Sequence, residues 1–81
     1  MDTEATAREV YELLSRSRLG TVVAVWNDGS ISAHRELGFR YRSLGDGRRE
    51  EPLITFVSAP ELPPAWQIAE RIEAASIAHQ R

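Results

Sequence analysis

Residues 21–41, TVVAVWNDGSISAHRELGFRY, decide the fold because they contain two apolar-rich runs joined by the turn sequence NDGS at 27–30. An Asp-Gly pair tolerates the positive φ values of a tight turn, so the segment predicts a β-hairpin. A two-residue loop made of this pair would place Trp26 opposite Ile31. Because side chains alternate between the faces of a strand, this register gives one apolar face, which includes Trp26, and one mixed face.

The N-terminal part of the chain predicts a helix. Apolar residues recur there at three- and four-residue spacing, and the pattern breaks after Ser15. A capping box at residues 6–9, or an earlier cap at Asp2 or Thr3, would mark the start of this helix. We therefore expect an amphipathic helix that ends near Ser15.

The C-terminal half predicts one further strand and a second helix. Residues 53–57 are rich in β-branched and aromatic side chains, which favour a strand, and residues 65–79 have helical apolar periodicity. The second strand of the hairpin is predicted to continue to Tyr41, with a β-bulge near 35–38. Residues 45–52 are polar and glycine-bearing, so they predict a mobile loop.

The predicted fold class is α+β, with the element order α-β-β-β-α in a single domain over residues 1–81. We expect a three-stranded antiparallel meander with both helices packed on one face, since an isolated hairpin is only marginally stable. Cysteine is absent, which excludes disulfides and thiolate metal ligands. No apolar run approaches the roughly 20 residues that span a bilayer, so we expect a cytoplasmic protein without membrane contact.

Charge is unevenly distributed along the chain, although the net charge is only −2. The predicted helices are acidic, and the second hairpin strand with the loop that follows it is basic. The acidic positions are Glu4, Glu9, Glu12, Glu70 and Glu73, and the basic positions are Arg40, Arg42, Arg48 and Arg49. If the helices cover the Trp26 face, Val23 and Val25 lie exposed on the other face beside these arginines. An apolar centre rimmed by arginine is typical of a protein-binding patch.

The chain offers little that resembles a catalytic or metal site. His34 and Glu36 share a strand face, but no serine, cysteine or second histidine completes a catalytic constellation, so a solvated histidine is favoured over a ribonuclease acting through His34. A metal site would need His34, His79 and an acid to converge without a recognised ligand spacing. The glycines at 45–47 lack the remaining positions of a phosphate loop. We expect no catalytic residue, no metal and no cofactor.

The arginines could also contact nucleic-acid phosphates, since each such contact releases counterions. However, the isoelectric point near 5.6 and the two acidic helices disfavour a phosphate-binding surface. Nucleic-acid binding is therefore the second candidate after protein binding.

The α-β-β-β-α order is similar to that of double-stranded-RNA-binding domains and of the HicA family of RNA-cleaving toxins. The basic cluster that opens the second helix of the former is replaced by PPAWQ at 63–67, and the Gly-Ser-His motif of the latter appears as GSISAH at 29–34, with the histidine displaced. In size, acidic helices and lack of a motif, the chain also resembles the small inhibitors that phages and other mobile elements encode, including anti-CRISPR proteins. That resemblance implies a domain that binds a larger effector complex.

We therefore predict a non-enzymatic protein-binding module, an inhibitor that blocks a nucleoprotein complex by occupying its surface, present as a monomer or homodimer. Two contact modes stay open. The acidic helices could imitate nucleic-acid phosphates towards a basic partner, or the arginine-rimmed sheet face could dock on an acidic one. The alternative is a double-stranded-RNA-binding or HicA-like RNA-cleaving domain.

Overall fold

Two helices and two antiparallel sheets form the fold in a computed structural model that describes residues 1–35 and 41–80. In chain order the elements are α1 (Thr3–Arg16), β1 (Val22–Val25), β2 (Ile31–His34), β3 (Arg42–Ser43), β4 (Arg49–Glu50), β5 (Ile54–Val57) and α2 (Ala65–His79). The larger sheet has the strand order β2-β1-β5, and β3 and β4 form the smaller sheet. The predicted α+β class with its α-β-β-β-α order is confirmed, and the β3–β4 hairpin is an addition to it.

Helix α1 begins at Thr3 because the side chain of Asp2 caps it. The Asp2 carboxylate accepts a hydrogen bond from the backbone N–H of Ala5 at 3.2 Å, which satisfies one of the free donors of the first turn. Thr6 lies inside the helix and is buried. The earlier of the two predicted starts is therefore correct, and residues 6–9 do not form the cap.

Helix α2 has the predicted bounds, Ala65–His79. Pro64 stands at the N-cap position without a side-chain hydrogen bond, and its restricted φ suits the entry into a helix. Ile68 and Ile72 are fully buried on the inner face of the helix. Among the described residues, neither helix is long and apolar enough to cross a membrane.

Strand β1 lies at the centre of the larger sheet. The predicted meander, which would place the second strand there, is wrong. All four residues of β1 are buried, and a run that is apolar on both faces is typical of a central strand. Strand β5 therefore pairs with the free side of β1, where Val23 lies opposite Phe56.

The β1–β2 hairpin is shifted by one residue from the predicted register. The N–H of Trp26 donates to the carbonyl oxygen of Ser30 at 2.9 Å, so residues 27–29 form a three-residue loop. Gly29 has a φ of +86°, the left-handed conformation that closes such loops. As a result Val25 pairs with Ile31, so Ile31 and Ala33 share the face of Val23 and Val25 instead of the face of Trp26.

This face, which Ile31 joins, lies towards the helices, and both Val23 and Val25 are fully buried there. The prediction that these two valines lie on an exposed sheet face and bind a partner is therefore wrong. Both helices do pack on one face of the sheet, as predicted, but Trp26 belongs to the opposite face. The core shared by helices and sheet consists of Ala7, Val10, Leu14, Val23, Val25, Phe56, Ile68 and Ile72.

A short hairpin occupies part of the segment that was predicted to be a loop. Arg42 pairs with Glu50 across β3 and β4, so the turn covers residues 44–48. Strand β2 covers Ile31–His34, and residues 36–40 of its predicted continuation to Tyr41 lie outside the described residues. The predicted bulge near 35–38 falls almost entirely outside the described residues.

Candidate functional site

Trp26 anchors the sheet face that points away from the helices. Its side chain is only 2% exposed, and its indole N–H donates to the hydroxyl of Ser32 at 2.8 Å. The same hydroxyl lies 2.7 Å from Nε2 of His34. The guanidinium of Arg42 lies 4.4 Å from the centroid of the Trp26 ring, in a cation–π contact. His34, the histidine considered for catalysis, thus belongs to a hydrogen-bonded chain that orients a buried tryptophan.

Arg42 connects the β3–β4 hairpin to the β1–β2 turn. Its guanidinium pairs with Glu50 at 2.8 Å and with Asp28 at 3.1 Å. Hydrogen bonds from Ser30, and then from Arg42, lower the pKa of Asp28 to about 2. The hydrogen bond from Arg42, followed by those from Asn27, lowers the pKa of Glu50. These contacts use the guanidinium inside the protein, so Arg42 is a structural clamp.

The other arginines of the predicted partner-binding rim do not converge on one patch. Arg48 pairs with Asp46 at 2.7 Å, and both side chains are more than half exposed. The guanidinium of Arg49 lies 4.5 Å from the centroid of the Tyr41 ring. Arg40 lies outside the described residues. With Val23 and Val25 buried, the predicted apolar centre of this surface is missing.

A groove of about 650 Å³ lies between α1 and α2. Its large exposed apolar side chains are Trp66, 65% exposed, and Ile77, 50% exposed. The groove is lined by Thr3, Glu4, Arg8, Ala65, Trp66, Ala69, Glu70, Glu73, Ala74 and Ile77. Eleven residues correspond to just over three full helical turns, so Trp66 and Ile77 lie on one side of α2. An apolar groove with two large exposed side chains is a feature that marks binding sites.

Carboxylates surround this groove. Glu4 from α1 and both Glu70 and Glu73 from α2 line it, against the single guanidinium of Arg8. Within the described residues none of these carboxylates takes part in an ion pair, whereas Arg42 and Arg48 are paired elsewhere. The groove therefore carries an excess of two negative charges that no contact within the described chain neutralises.

Three of the five glutamates predicted for the acidic-helix contact line the groove, namely Glu4, Glu70 and Glu73. Glu9 and Glu12 are exposed on α1 but do not line it. At about 100° per residue, Glu9 lies roughly 140° around the helix from Glu4, and Glu12 roughly 80°. The acidic helix faces thus form one groove and a separate outer surface of α1.

The sequence pattern does not single out Trp66 and Ile77 as site residues, because both flank the buried apolar stripe of α2. Their spacing with Glu70 and Glu73 carries the missing signal: four residues at intervals of four, three and four share one side of a helix. Only the position of α1 shows that this side borders a groove.

No group of three or more histidine and carboxylate side chains within residues 1–35 and 41–80 is arranged to hold a metal ion. Comparison of the chain with models of protein families, with characterised proteins and with solved structures finds no match. The geometry of the groove is therefore the basis on which a function can be argued.

Proposed function

We propose that the protein is a non-enzymatic binding module that captures a basic surface of a partner protein in the groove between α1 and α2. The observation that carries the proposal is the exposure of Trp66 and Ile77 in a groove whose charged lining is mainly carboxylate. The proposal keeps the acidic-helix mode of contact. It drops the arginine-rimmed sheet face, since the apolar centre of that face is buried.

The groove combines the two contributions that a specific interface needs. Tryptophan is among the side chains most enriched at interface positions that dominate affinity, and full burial of an isoleucine contributes roughly 1.5–3 kcal/mol. The carboxylates mainly select the partner and speed its approach, because complementary charge acts on association more than on final affinity. Trp66 and Ile77 would thus supply affinity, and Glu4, Glu70 and Glu73 would supply selectivity.

Inhibition of a larger nucleoprotein complex, in the manner of the anti-CRISPR proteins, is the biological role that we propose for this contact. Proteins that hold nucleic acids do so with arginine and lysine clusters that contact phosphates. A groove with unpaired carboxylates suits such a cluster and would exclude the nucleic acid by occupying it. This role, like the cytoplasmic location that the absence of cysteine favours, is part of the proposal.

The alternative of an RNA-binding or RNA-cleaving domain is not favoured by any particular observation. Arg42 is engaged by Asp28 and Glu50, and His34 is hydrogen-bonded to Ser32. Neither contact gives a reason to assign phosphate binding or catalysis to these residues.

A charge-reversal pair tests the proposal. A photoreactive amino acid at position 66 would first identify the partner by cross-linking in the native host, with the same amino acid at position 48 as the comparison. The affinity of the purified partner would then be measured for Glu70→Lys/Glu73→Lys and, as a matched control, for Arg48→Glu/Arg49→Glu.

We expect the glutamate reversal to weaken binding by at least about tenfold, or about 1.4 kcal/mol, because like charges then face each other across the interface. The arginine reversal should change affinity less than about twofold. Loss of binding in the arginine variant alone, or in neither variant, would overturn the proposed site.

A further inference from the structure

The walls of the groove determine what kind of basic segment it can accept. Both walls are helices, and the backbone N–H and C=O groups of a helix interior are already paired within the helix. An extended peptide bound here would find no strand edge to pair with, so the backbone groups that it buries would lose their hydrogen bonds to water. A helix carries its own backbone hydrogen bonds and avoids this cost.

The shape of the groove also fits a helix. Ala65, Ala69 and Ala74 contribute small side chains to its lining, which allows a neighbouring helix to approach closely. Trp66 and Ile77 stand about 16 Å apart along α2, at 1.5 Å per residue. A helix of about three turns with apolar residues at positions i, i+4, i+7 and i+11 would contact both.

Charge selects among helical occupants. The excess of carboxylates at Glu4, Glu70 and Glu73 favours a helix with arginine or lysine beside its apolar stripe. A second copy of this chain is disfavoured, since two copies joined symmetrically through this groove would bring the same carboxylates together. From the helical walls, the small-residue lining and the charge, we infer that the groove binds one basic amphipathic α-helix of a partner protein. This inference rests on the proposed function and specifies its partner.

Three synthetic peptides of 18 residues test the inference. The first has leucine at i, i+4, i+7 and i+11 and arginine, lysine and alanine elsewhere; the second has the same composition in an order without a stripe; the third is the first with a central proline. Binding would be followed by NMR through the indole N–H signal of Trp66, which is assigned by its loss in Trp66→Phe. Circular dichroism would report the helix content of the peptide.

We expect the striped peptide to saturate the Trp66 signal and gain helix content, with at least tenfold higher affinity than the other two. Trp66→Ala should lower its affinity at least about fivefold because an apolar contact is lost, and this variant is titrated by the gain in peptide helix content since it lacks the indole signal. Glu70→Gln/Glu73→Gln should have an effect of the same size because the complementary charge is removed. Glu9→Gln, outside the groove, should change it less than twofold.

Equal binding of all three peptides would overturn the inference that the partner segment is a helix. It would show that the groove attracts any polycation. Concentration-dependent shifts of the Trp66 signal without peptide would overturn it in favour of self-association. If no peptide binds while a partner still cross-links at position 66 and responds to the charge reversal, the inference fails and the proposed function stands. If the cross-linking and charge reversal also fail, both are wrong.

Discussion

At the scale of single residues, Arg42 shows how one side chain can join parts of the chain that are distant in sequence. It contacts Asp28 and Ser30 in the β1–β2 turn, Glu50 in β4 and the ring of Trp26. The sequence marked Arg42 as part of a basic, partner-facing segment because charge patterns do not show which charges meet in space. Its cation–π and ion-pair contacts depend on the hairpin register, and the observed register differs by one residue from the predicted one.

Acid should weaken the fold through the carboxylates that Arg42 and Ser30 contact. The pKa of Asp28 is about 2 in the folded protein, below its ordinary value of 3.8, so the folded state binds fewer protons than the unfolded state between these values. The stabilisation is complete above about pH 4 and is lost as the pH falls towards 2. Glu50, whose pKa is also lowered, acts in the same direction.

Urea unfolding measured between pH 6 and pH 2 checks this prediction. Asp28→Asn should be less stable than the wild type at pH 6, and its free energy of unfolding should fall less steeply below pH 4, so that the two curves approach each other near pH 2. Ser30→Ala, which removes the leading cause of the lowered pKa, should also flatten the curve. A variant curve parallel to that of the wild type would contradict the assignment.

At the scale of elements, the helices were the most predictable part and the sheet the least. Apolar periodicity located α2 to the residue, because a stripe at 3.6-residue spacing extends over fifteen residues. The hairpin strands have only four residues each, so the loop length alone sets the register, and Asn27 joins the loop instead of the strand. With Asn27 in the loop, Ile31 shares the face of Val23 instead of that of Trp26, and the helices cover the face on which the partner site was predicted.

The same substitution should have different effects on the two faces of α2: a large loss of stability on the buried face, and a loss of partner binding on the groove face. Ile72 is fully buried, so Ile72→Ala should lower the free energy of unfolding by about 2–5 kcal/mol. Ile77 is half exposed, and Ile77→Ala should cost less than about 1 kcal/mol while weakening partner binding. Urea unfolding followed by circular dichroism measures both. Equal losses of stability would mean that the groove face of α2 is part of the core.

At the scale of the whole molecule, the groove carboxylates and Arg42 lie on opposite sides of the sheet. The groove is in the helical layer, whereas Arg42 contacts Trp26 on the face turned away from the helices. Asp28 and Glu50 also balance the charge of Arg42, so the groove carboxylates can attract a basic helix without interference from this arginine.

The carboxylates and the apolar side chains of the groove should have different kinetic effects on binding. The association rate of the striped basic peptide should fall as salt rises from 0.05 to about 0.5 M, since screening shortens the range of attraction. Glu70→Gln/Glu73→Gln should reduce that salt dependence and leave the dissociation rate nearly unchanged. Trp66→Ala should keep the salt dependence and accelerate dissociation, because apolar contacts act after encounter. Stopped-flow fluorescence of a labelled peptide measures both rates.

A salt-independent association rate in the wild type would show that the groove carboxylates do not guide the partner. Trp66 and Ile77 would then have to account for recognition by apolar contact alone.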